Sequence, residues 1–109
     1  MAAKKVRAQR GSGNVFRDLG LKNPEELLAK AKLAAGIVQI LEGRKLTQTQ
    51  AAKLLDIDQP KVSQIYRGRL DDFSLERLMR FLTVLHRDIR IVVEEKPRRR
   101  RGRVLVEAA

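Results

Sequence analysis

The chain of 109 residues is long enough for one small domain with tails, and its 24 Lys and Arg against 13 Asp and Glu give a formal net charge of +11. It has no cysteine, which excludes disulfides and thiolate metal sites. No apolar run reaches the roughly 18 residues that cross a bilayer, and the basic N-terminus lacks the apolar segment of a signal peptide. We therefore expect a cytoplasmic protein that contacts no membrane.

The positive charge is concentrated at the two ends of the chain. Residues 1–24 and residues 96–109 each carry six basic and one acidic residue, whereas residues 25–95 carry 12 basic and 11 acidic residues. This distribution, nearly neutral in the middle and cationic at the ends, predicts a flexible basic arm at 1–13, a folded domain at 14–96 and a basic tail at 97–109. Cationic arms contact DNA phosphates or enter a minor groove, although such tails also serve merely to solubilise a domain. The arm residues available for such contacts are Lys4, Lys5, Arg7, Arg10, Arg98, Arg99, Arg100 and Arg101.

The first half of the chain contains one short and one long helical signal. Residues 14–20 are short and apolar and suit a single turn of helix. Asn23 is a suitable N-cap, Pro24 fits a first helical position, and the two acids that follow favour the positive end of the helix dipole. This pattern predicts a helix that runs to about Glu42 and is ended by Gly43. Its expected core-facing stripe consists of Leu27, Leu28, Ala31, Ala34, Ala35, Val38 and Leu41.

The middle of the chain predicts two short helices joined by a tight turn. Thr47 and Gln50 have the spacing of a capping box, in which each side chain accepts from the backbone N–H of the other residue. Asp56-Ile57-Asp58 then breaks the first of these helices. The apolar face of that helix is expected to consist of Ala51, Ala52, Leu54 and Leu55.

The second of these two helices presents a polar outer face. Asp58 is a suitable N-cap, Pro60 is tolerated in a first turn, and Gly68 offers a C-terminal stop. The inner face consists of Val62, Ile65 and Tyr66. The outer face consists of Gln59, Lys61, Ser63, Gln64 and Arg67. Polar residues on an outer face are often only solvated, so the spacing by itself leaves DNA contact and simple hydration equally open.

The last regular signals are a helix and a strand. Ser74 is the N-cap of the helix, and His86 lies near its end, where it can interact with the last carbonyls. The buried stripe of this helix is expected to be Leu75, Leu78, Met79, Leu82 and Leu85. The hydrophobic period then changes from 3.6 to 2, which predicts a β-strand with one apolar side. That side consists of Ile89, Ile91 and Val93.

A lone strand has unpaired backbone groups, so the predicted strand needs a partner. The simplest partner is the same strand of a second subunit, antiparallel across a two-fold axis. A homodimer of this kind reads a pseudo-palindromic DNA site. A hairpin with residues 103–107 and the addition of the strand to the sheet of a different protein are the alternatives.

Residues 46–68 closely resemble the helix-turn-helix of the XRE class, the phage-repressor and Cro type. The marks of the resemblance are Leu46-Thr47-Gln48, Ala51-Ala52, Ile57, Gln59, Val62-Ser63 and Gly68. The departure is Asp56, which stands where glycine is usual in the turn, although Asp tolerates a positive φ better than most residues. The resemblance implies a mainly α, lambda-repressor-like bundle of four to five helices. The C-terminal β-strand that the periodicity predicts would follow this bundle and would pair most simply across a dimer.

The resemblance also implies roles for individual residues on double-stranded operator DNA. Gln can make a bidentate contact to adenine, and Lys or Arg to guanine, in the major groove. The residues expected to reach base edges or nearby phosphates there are Gln59, Lys61, Ser63, Gln64 and Arg67. The residues expected at the DNA phosphates are Thr47, Gln48 and Arg69.

Residues 11–97 resemble, more widely, the small XRE antitoxins of the HigA type. The resemblance rests on residues 11–34, the helix-turn-helix and residues 73–97. It implies a protein that binds a RelE- or HigB-like toxin and represses the operon that the two share. The residues around Phe16 and Leu19 contact such a toxin in one interpretation. In the other, they form a cap that packs onto the helices.

No enzyme is expected, because the chain has one histidine, no evident pair of carboxylates in a pocket and no glycine-rich phosphate loop. No cofactor or metal is implied either, and Asp71-Asp72 and Glu94-Glu95 are expected to pair with nearby Arg residues. Our leading hypothesis is a sequence-specific repressor that serves as the autoregulating antitoxin of a toxin–antitoxin pair. The alternatives are a stand-alone XRE regulator and a weakly specific, nucleoid-type DNA binder.

Overall fold

Five helices make up the regular structure of the described part of the chain. The computed structural model describes residues 14–96, 98 and 101–107. Its helices are α1 (Val15–Asp18), α2 (Pro24–Gly43), α3 (Gln48–Leu55), α4 (Gln59–Tyr66) and α5 (Leu75–Val84). The long α2 packs against α1, α4 and α5, and α3 packs against α4 and α5. The mainly α helix-turn-helix bundle expected from the sequence is therefore confirmed.

The core is formed by side chains of α2, α3, α4 and α5 and of the loop before α5. Its largest fully buried side chains are Ile37, Leu41, Val62, Phe73, Leu78 and Leu85. The rings of Phe73 and Phe81 meet edge to face, with centroids 6.1 Å apart and planes at 71°. This geometry suits the aromatic quadrupoles and adds to the burial of the two rings. The loop before α5 is thereby fixed to the core through Phe73.

The buried face of α2 differs from the expected stripe. The residues that are buried are Ala29, Leu33, Ala34, Ile37 and Leu41. Four of them follow one another at intervals of four residues, which places them in a row along one side of the helix. Only Ala34 and Leu41 belong to the stripe expected from the sequence. The expectation was wrong because α2 carries apolar residues around most of its circumference, so several stripes fit the pattern equally well.

Asn14 connects the short α1 to the start of α2. Its Oδ1 accepts hydrogen bonds from the backbone N–H groups of Phe16 (3.0 Å) and Arg17 (3.2 Å). Its Nδ2 donates to the backbone carbonyl of Pro24 at 2.9 Å. Asn14 can be buried because its side-chain amide forms hydrogen bonds with the backbone of both α1 and the start of α2. Asn23, the expected cap, occupies the N-cap of α2 in a left-handed conformation (φ 52°), but its side chain makes no capping hydrogen bond.

The apolar residues of α1 are mostly on the surface. Phe16 is half-buried, whereas Leu19 is 69% exposed. The interpretation in which both side chains form a packed cap is therefore wrong for Leu19, because α1 ends after one turn and leaves this residue exposed.

The C-terminal end of α5 is closed by a residue that lies 41 positions earlier in the chain. Nη2 of Arg44 donates to the backbone carbonyl of Leu85 at 2.6 Å. The backbone then turns through a left-handed His86 (φ 67°), whose N–H donates to the carbonyl of Thr83 at 3.0 Å. These contacts satisfy carbonyls that the last turn of a helix leaves unpaired. The same contacts fix the point at which the chain leaves the bundle after Arg87.

The residues that the structure describes contain no β-strand. Residues 87–96 have no regular structure, and Ile91 and Val93 are 75% and 94% exposed. No backbone hydrogen bond joins them to the described part of the tail, 101–107, so the hairpin alternative is not formed. Val106 instead packs against the edge of the core. The strand needs a partner that a single chain does not supply, and it stays a prediction for an assembly.

No helix in the described part of the chain is long and apolar enough to span a membrane.

Candidate nucleic-acid interface

The start of α3 is built by the predicted capping box. Oγ1 of Thr47 accepts from the N–H of Gln50 at 3.1 Å, and Oε1 of Gln50 accepts from the N–H of Thr47 at 2.8 Å. An N-cap of this type stabilises a helix by about 1 kcal/mol. Ala51, Ala52 and Leu55 are buried on the inner face, whereas Leu54, expected there too, is largely exposed. The small alanines let α4 cross close to α3.

The turn between α3 and α4 depends on a left-handed residue. Asp56 has φ 58° and ψ 47°, the conformation for which glycine is usual at this position. The N–H of Ile57 reaches back to the carbonyl of Ala52 at 3.0 Å and so closes the end of α3. The chain can then reverse within a few residues. This turn sets the angle at which α4 leaves α3.

Two buried residues decide which side of α4 faces solvent. Val62 and Ile65 are 0% and 2% exposed, and burial of side chains of this size contributes about 1.5–3 kcal/mol each. Asp58 occupies the N-cap in an extended conformation, yet its side chain makes no capping hydrogen bond, contrary to expectation. Gly68 adopts a positive φ of 75° after the helix, as a C-terminal stop requires. Apolar packing, more than the cap, therefore positions α4.

The structure brings the expected major-groove residues to one surface. Gln59 and Arg67 are exposed, and Lys61, Ser63 and Gln64 are half-exposed beside the buried row. Nε of Arg67 donates to the carbonyl of Ser63 at 3.4 Å, which directs its guanidinium along the helix. Positions three and four residues apart share one helix face, so these side chains form a continuous polar strip.

Asp72, in the loop before α5, also belongs to this surface, although it was not expected there. Its Oδ2 accepts from Nζ of Lys61 at 3.1 Å and from Nε2 of Gln64 at 3.2 Å. The hydrogen bond from Gln64, followed by the hydrogen bond and charge of Lys61, lowers the pKa of the Asp72 carboxyl. The carboxylate is therefore ionised at neutral pH. It was expected to pair with Arg residues, and no local signal indicates Lys61 and Gln64 as its partners.

The expected phosphate contacts flank this strip. Thr47 and Arg69 are exposed and Gln48 is half-exposed. Anions bind readily to the unpaired N–H groups of a helix start. At the start of α4 few such groups remain, because Pro60 has no N–H and the N–H of Lys61 donates to the carbonyl of Asp58 at 2.9 Å. The arm residues Lys4, Lys5, Arg7, Arg10, Arg99 and Arg100 lie outside the described residues. Arg98 and Arg101 are described and exposed.

The described residues contain no group of three or more His, Cys, Asp or Glu side chains that could hold a metal ion. The surface around α4 consists of hydrogen-bond donors and acceptors. A helix of this type fits a DNA major groove, which admits a single α-helix. Fold and surface together define a helix-turn-helix domain.

Comparison with known proteins agrees with this class. A family model described as a helix-turn-helix domain matches residues 15–94. A solved structure assigned to the XRE family of transcriptional regulators is similar to the chain with a TM-score of 0.71 and 42% sequence identity. The match covers 78% of this chain and 97% of that chain. No curated protein sequence matches the chain. The chain belongs to the XRE-type helix-turn-helix family of transcriptional regulators.

We predict that Asp56→Gly raises the free energy of unfolding by about 1 kcal/mol, because glycine occupies the left-handed region without the steric cost of a Cβ. Urea denaturation monitored by circular dichroism measures the effect. Asp58→Gly is the matched control, since Asp58 has a φ of −73° and needs no glycine. Equal loss of stability in both variants would show that the turn is not strained at Asp56.

Proposed function

We propose that the protein is a sequence-specific transcriptional repressor that inserts α4 into the major groove of its operator. The observation that carries this proposal is the division of α4 into a buried apolar row and an outward strip of amide, hydroxyl and cationic groups. Base edges in the major groove present complementary donors and acceptors. The protein is a non-enzymatic regulator in this proposal and acts in the cytoplasm, where its DNA is.

The residues proposed to reach base edges or adjacent phosphates are Gln59, Lys61, Ser63, Gln64 and Arg67. They share the outward surface of α4, and none of their side chains belongs to the core. Thr47, Gln48 and Arg69 are proposed to position the domain on phosphates, which fixes register without reading sequence. Residues 25–95 are nearly neutral, whereas the two ends of the chain are cationic. This distribution favours a division in which the folded domain reads the DNA sequence and the ends add affinity for any DNA.

The dimer is proposed to form through residues 89–93. Ile89, Ile91 and Val93 alternate along a segment without regular structure, in which Ile91 and Val93 are 75% and 94% exposed. Pairing with the same segment of a second subunit covers these side chains and satisfies their backbone groups. The two-fold symmetry of that assembly presents two copies of α4 to a pseudo-palindromic operator.

Autoregulation as the antitoxin of a toxin–antitoxin pair is the second candidate function. The observation that favours it is an exposed apolar surface on the N-terminal segment, away from the helix-turn-helix. Val15, Leu19 and Leu21 are all exposed there. A RelE- or HigB-like toxin could cover them while α4 stays free for DNA. Relief of growth arrest when the chain is co-expressed with such a toxin would support this role, and a stand-alone regulator would give no relief.

We predict that Gln59→Ala and Gln64→Ala each weaken operator binding by about 1–3 kcal/mol and relax sequence preference, because each removes a base-reading amide. Fluorescence anisotropy on operator and shuffled duplexes measures both effects. Gln39→Ala, the same chemical change on the exposed part of α2, is the matched control and should leave both affinities unchanged. Equal losses on operator and shuffled DNA would contradict the base-reading role.

We predict that replacing residues 98–101 with Gln weakens binding to every duplex. It should also lower the magnitude of the salt slope by about 0.9 for each phosphate that the tail no longer neutralises. Substitution is preferable to deletion of residues 97–109, because Val106 packs against the core and its removal would disturb the domain. Affinity is measured as a function of salt concentration. A slope equal to that of the wild type would make the tail a solubilising segment only.

We predict that Ile91→Lys converts the dimer to a monomer, since the substitution places a charge on the apolar side of the paired strand. Light scattering coupled to size exclusion reports the mass. Val92→Lys is the control, because alternation along a strand puts residue 92 on the opposite side. If the Ile91 variant keeps the mass of a dimer, the strand is not the interface.

A further inference from the structure

Two residues of the outward strip are held from outside α4 by a single carboxylate oxygen. Nζ of Lys61 and Nε2 of Gln64 both donate to Oδ2 of Asp72, at 3.1 and 3.2 Å. We name these three residues the Asp72 cluster. Lys61 and Gln64 are one helical turn apart, so both can meet a group that lies beside the helix. The cluster therefore joins α4 to the loop that precedes α5.

The loop that carries Asp72 is firmly placed. Phe73, the next residue, is 1% exposed, and its N–H donates to the carbonyl of Leu70 at 3.0 Å. The guanidinium of Arg77 lies 5.1 Å from the centre of the Phe73 ring, and Nζ of Lys61 lies 5.9 Å from it. The side chain of Asp72 is nevertheless 53% exposed. The carboxylate thus stays in position while facing the same solvent as the outward strip.

The first consequence of the cluster concerns the orientation of Gln64. An ionised carboxylate only accepts hydrogen bonds, so the amide nitrogen of Gln64 must point toward Asp72. When the amide hydrogen trans to Oε1 makes this bond, the second N–H and Oε1 stay side by side and are available to another partner. A bidentate contact to adenine needs a donor and an acceptor held side by side in this way. Asp72 fixes the amide before DNA arrives.

The second consequence concerns the charge of Lys61. A free lysine on this surface would neutralise a phosphate of any sequence and release its counterion. Paired with Asp72 at 3.1 Å, Lys61 has less to gain from a phosphate, and the carboxylate itself repels the DNA backbone. Sequence-independent affinity falls, whereas the base contact of Gln64 is kept.

We propose that Asp72 is a specificity-determining positioning residue, which holds Gln64 ready to read a base and withholds Lys61 from sequence-independent phosphate binding. The inference rests on the proposed function of operator binding. It predicts that removal of the carboxylate makes the protein a tighter but less selective DNA binder, in contrast to the loss of affinity expected when a base-reading side chain is removed.

Asp72→Asn and Asp72→Ala separate the two consequences. Asn removes the charge but retains an oxygen that can accept from Gln64, whereas Ala removes both. Asp71→Asn is the matched control: it makes the same change in net charge one residue away, and the Asp71 side chain has no hydrogen bond or ion pair among the described residues. Affinities are measured for a duplex that the wild type selects from a random pool and for a shuffled duplex of equal composition, at several salt concentrations.

Both Asp72 variants should bind the shuffled duplex more tightly than Asp71→Asn does. Their salt slopes should steepen by about 0.9, the value for one additional phosphate contact. The preference for the selected duplex should fall by about fivefold or more in Asp72→Ala and by less in Asp72→Asn, since a bidentate base contact discriminates at least that strongly. In a Lys61→Ala, Gln64→Ala background, Asp72→Ala should have no further effect on preference.

Two results would overturn the role proposed for Asp72 and leave the proposed function intact. In the first, the Asp72 variants match Asp71→Asn in salt slope and in preference. In the second, Asp72→Ala still lowers the preference in the Lys61→Ala, Gln64→Ala background. The second would mean that Asp72 contacts a base directly. A wild type that selects no duplex over its shuffled counterpart would overturn the proposed function as well, so the two failures are distinguishable.

Discussion

The burial of Val62 and Ile65 in the core is the constraint on which the rest of the surface depends. Their packing against the rest of the bundle contributes more than any single cap or surface ion pair, since exposed ion pairs contribute about 0–1 kcal/mol. It fixes the rotation of α4 about its own axis and so decides which residues are outward. The left-handed Asp56 then fixes the direction of α4 relative to α3. Sequence reading requires both, because a rotated or tilted helix would present different groups to a groove.

Local features of this architecture follow directly from the sequence. The capping box at Thr47, the turn at Asp56 and the positive φ of Gly68 each depend on residues within a few positions of one another, and all three are present. The buried stripe of α2 could not be predicted in the same way. This helix has apolar residues around most of its circumference, so the neighbouring helices decide which of them are buried. Asp72 was missed for a related reason: it meets Lys61 from 11 residues away, across a turn whose course only the folded chain defines. The C-terminal strand stays a prediction, because a strand that pairs with a second chain is not formed in a single chain.

The distribution of charge separates two tasks that a DNA-binding protein must combine. Residues 25–95 are nearly neutral, and within the proposed reading surface Asp72 offsets a cation. The excess positive charge is on the two ends, where it attracts any duplex. In the function proposed above, the arms supply affinity for DNA in general and α4 discriminates among sequences. A more basic reading surface would raise the affinity for every DNA site and would lower the ratio of the affinities for correct and incorrect sites. That ratio decides which sites are occupied in a genome.

The most direct test of α4 as the reading element is a titration of the protein against its own upstream region and against a scrambled duplex, at two salt concentrations. We expect a preference on the order of 10³-fold for the upstream region that survives added salt, because base contacts by α4 do not depend on counterion release. Equal binding of the two duplexes that collapses as salt is added would contradict this expectation. The arms alone would then account for binding, and α4 would have no reading role.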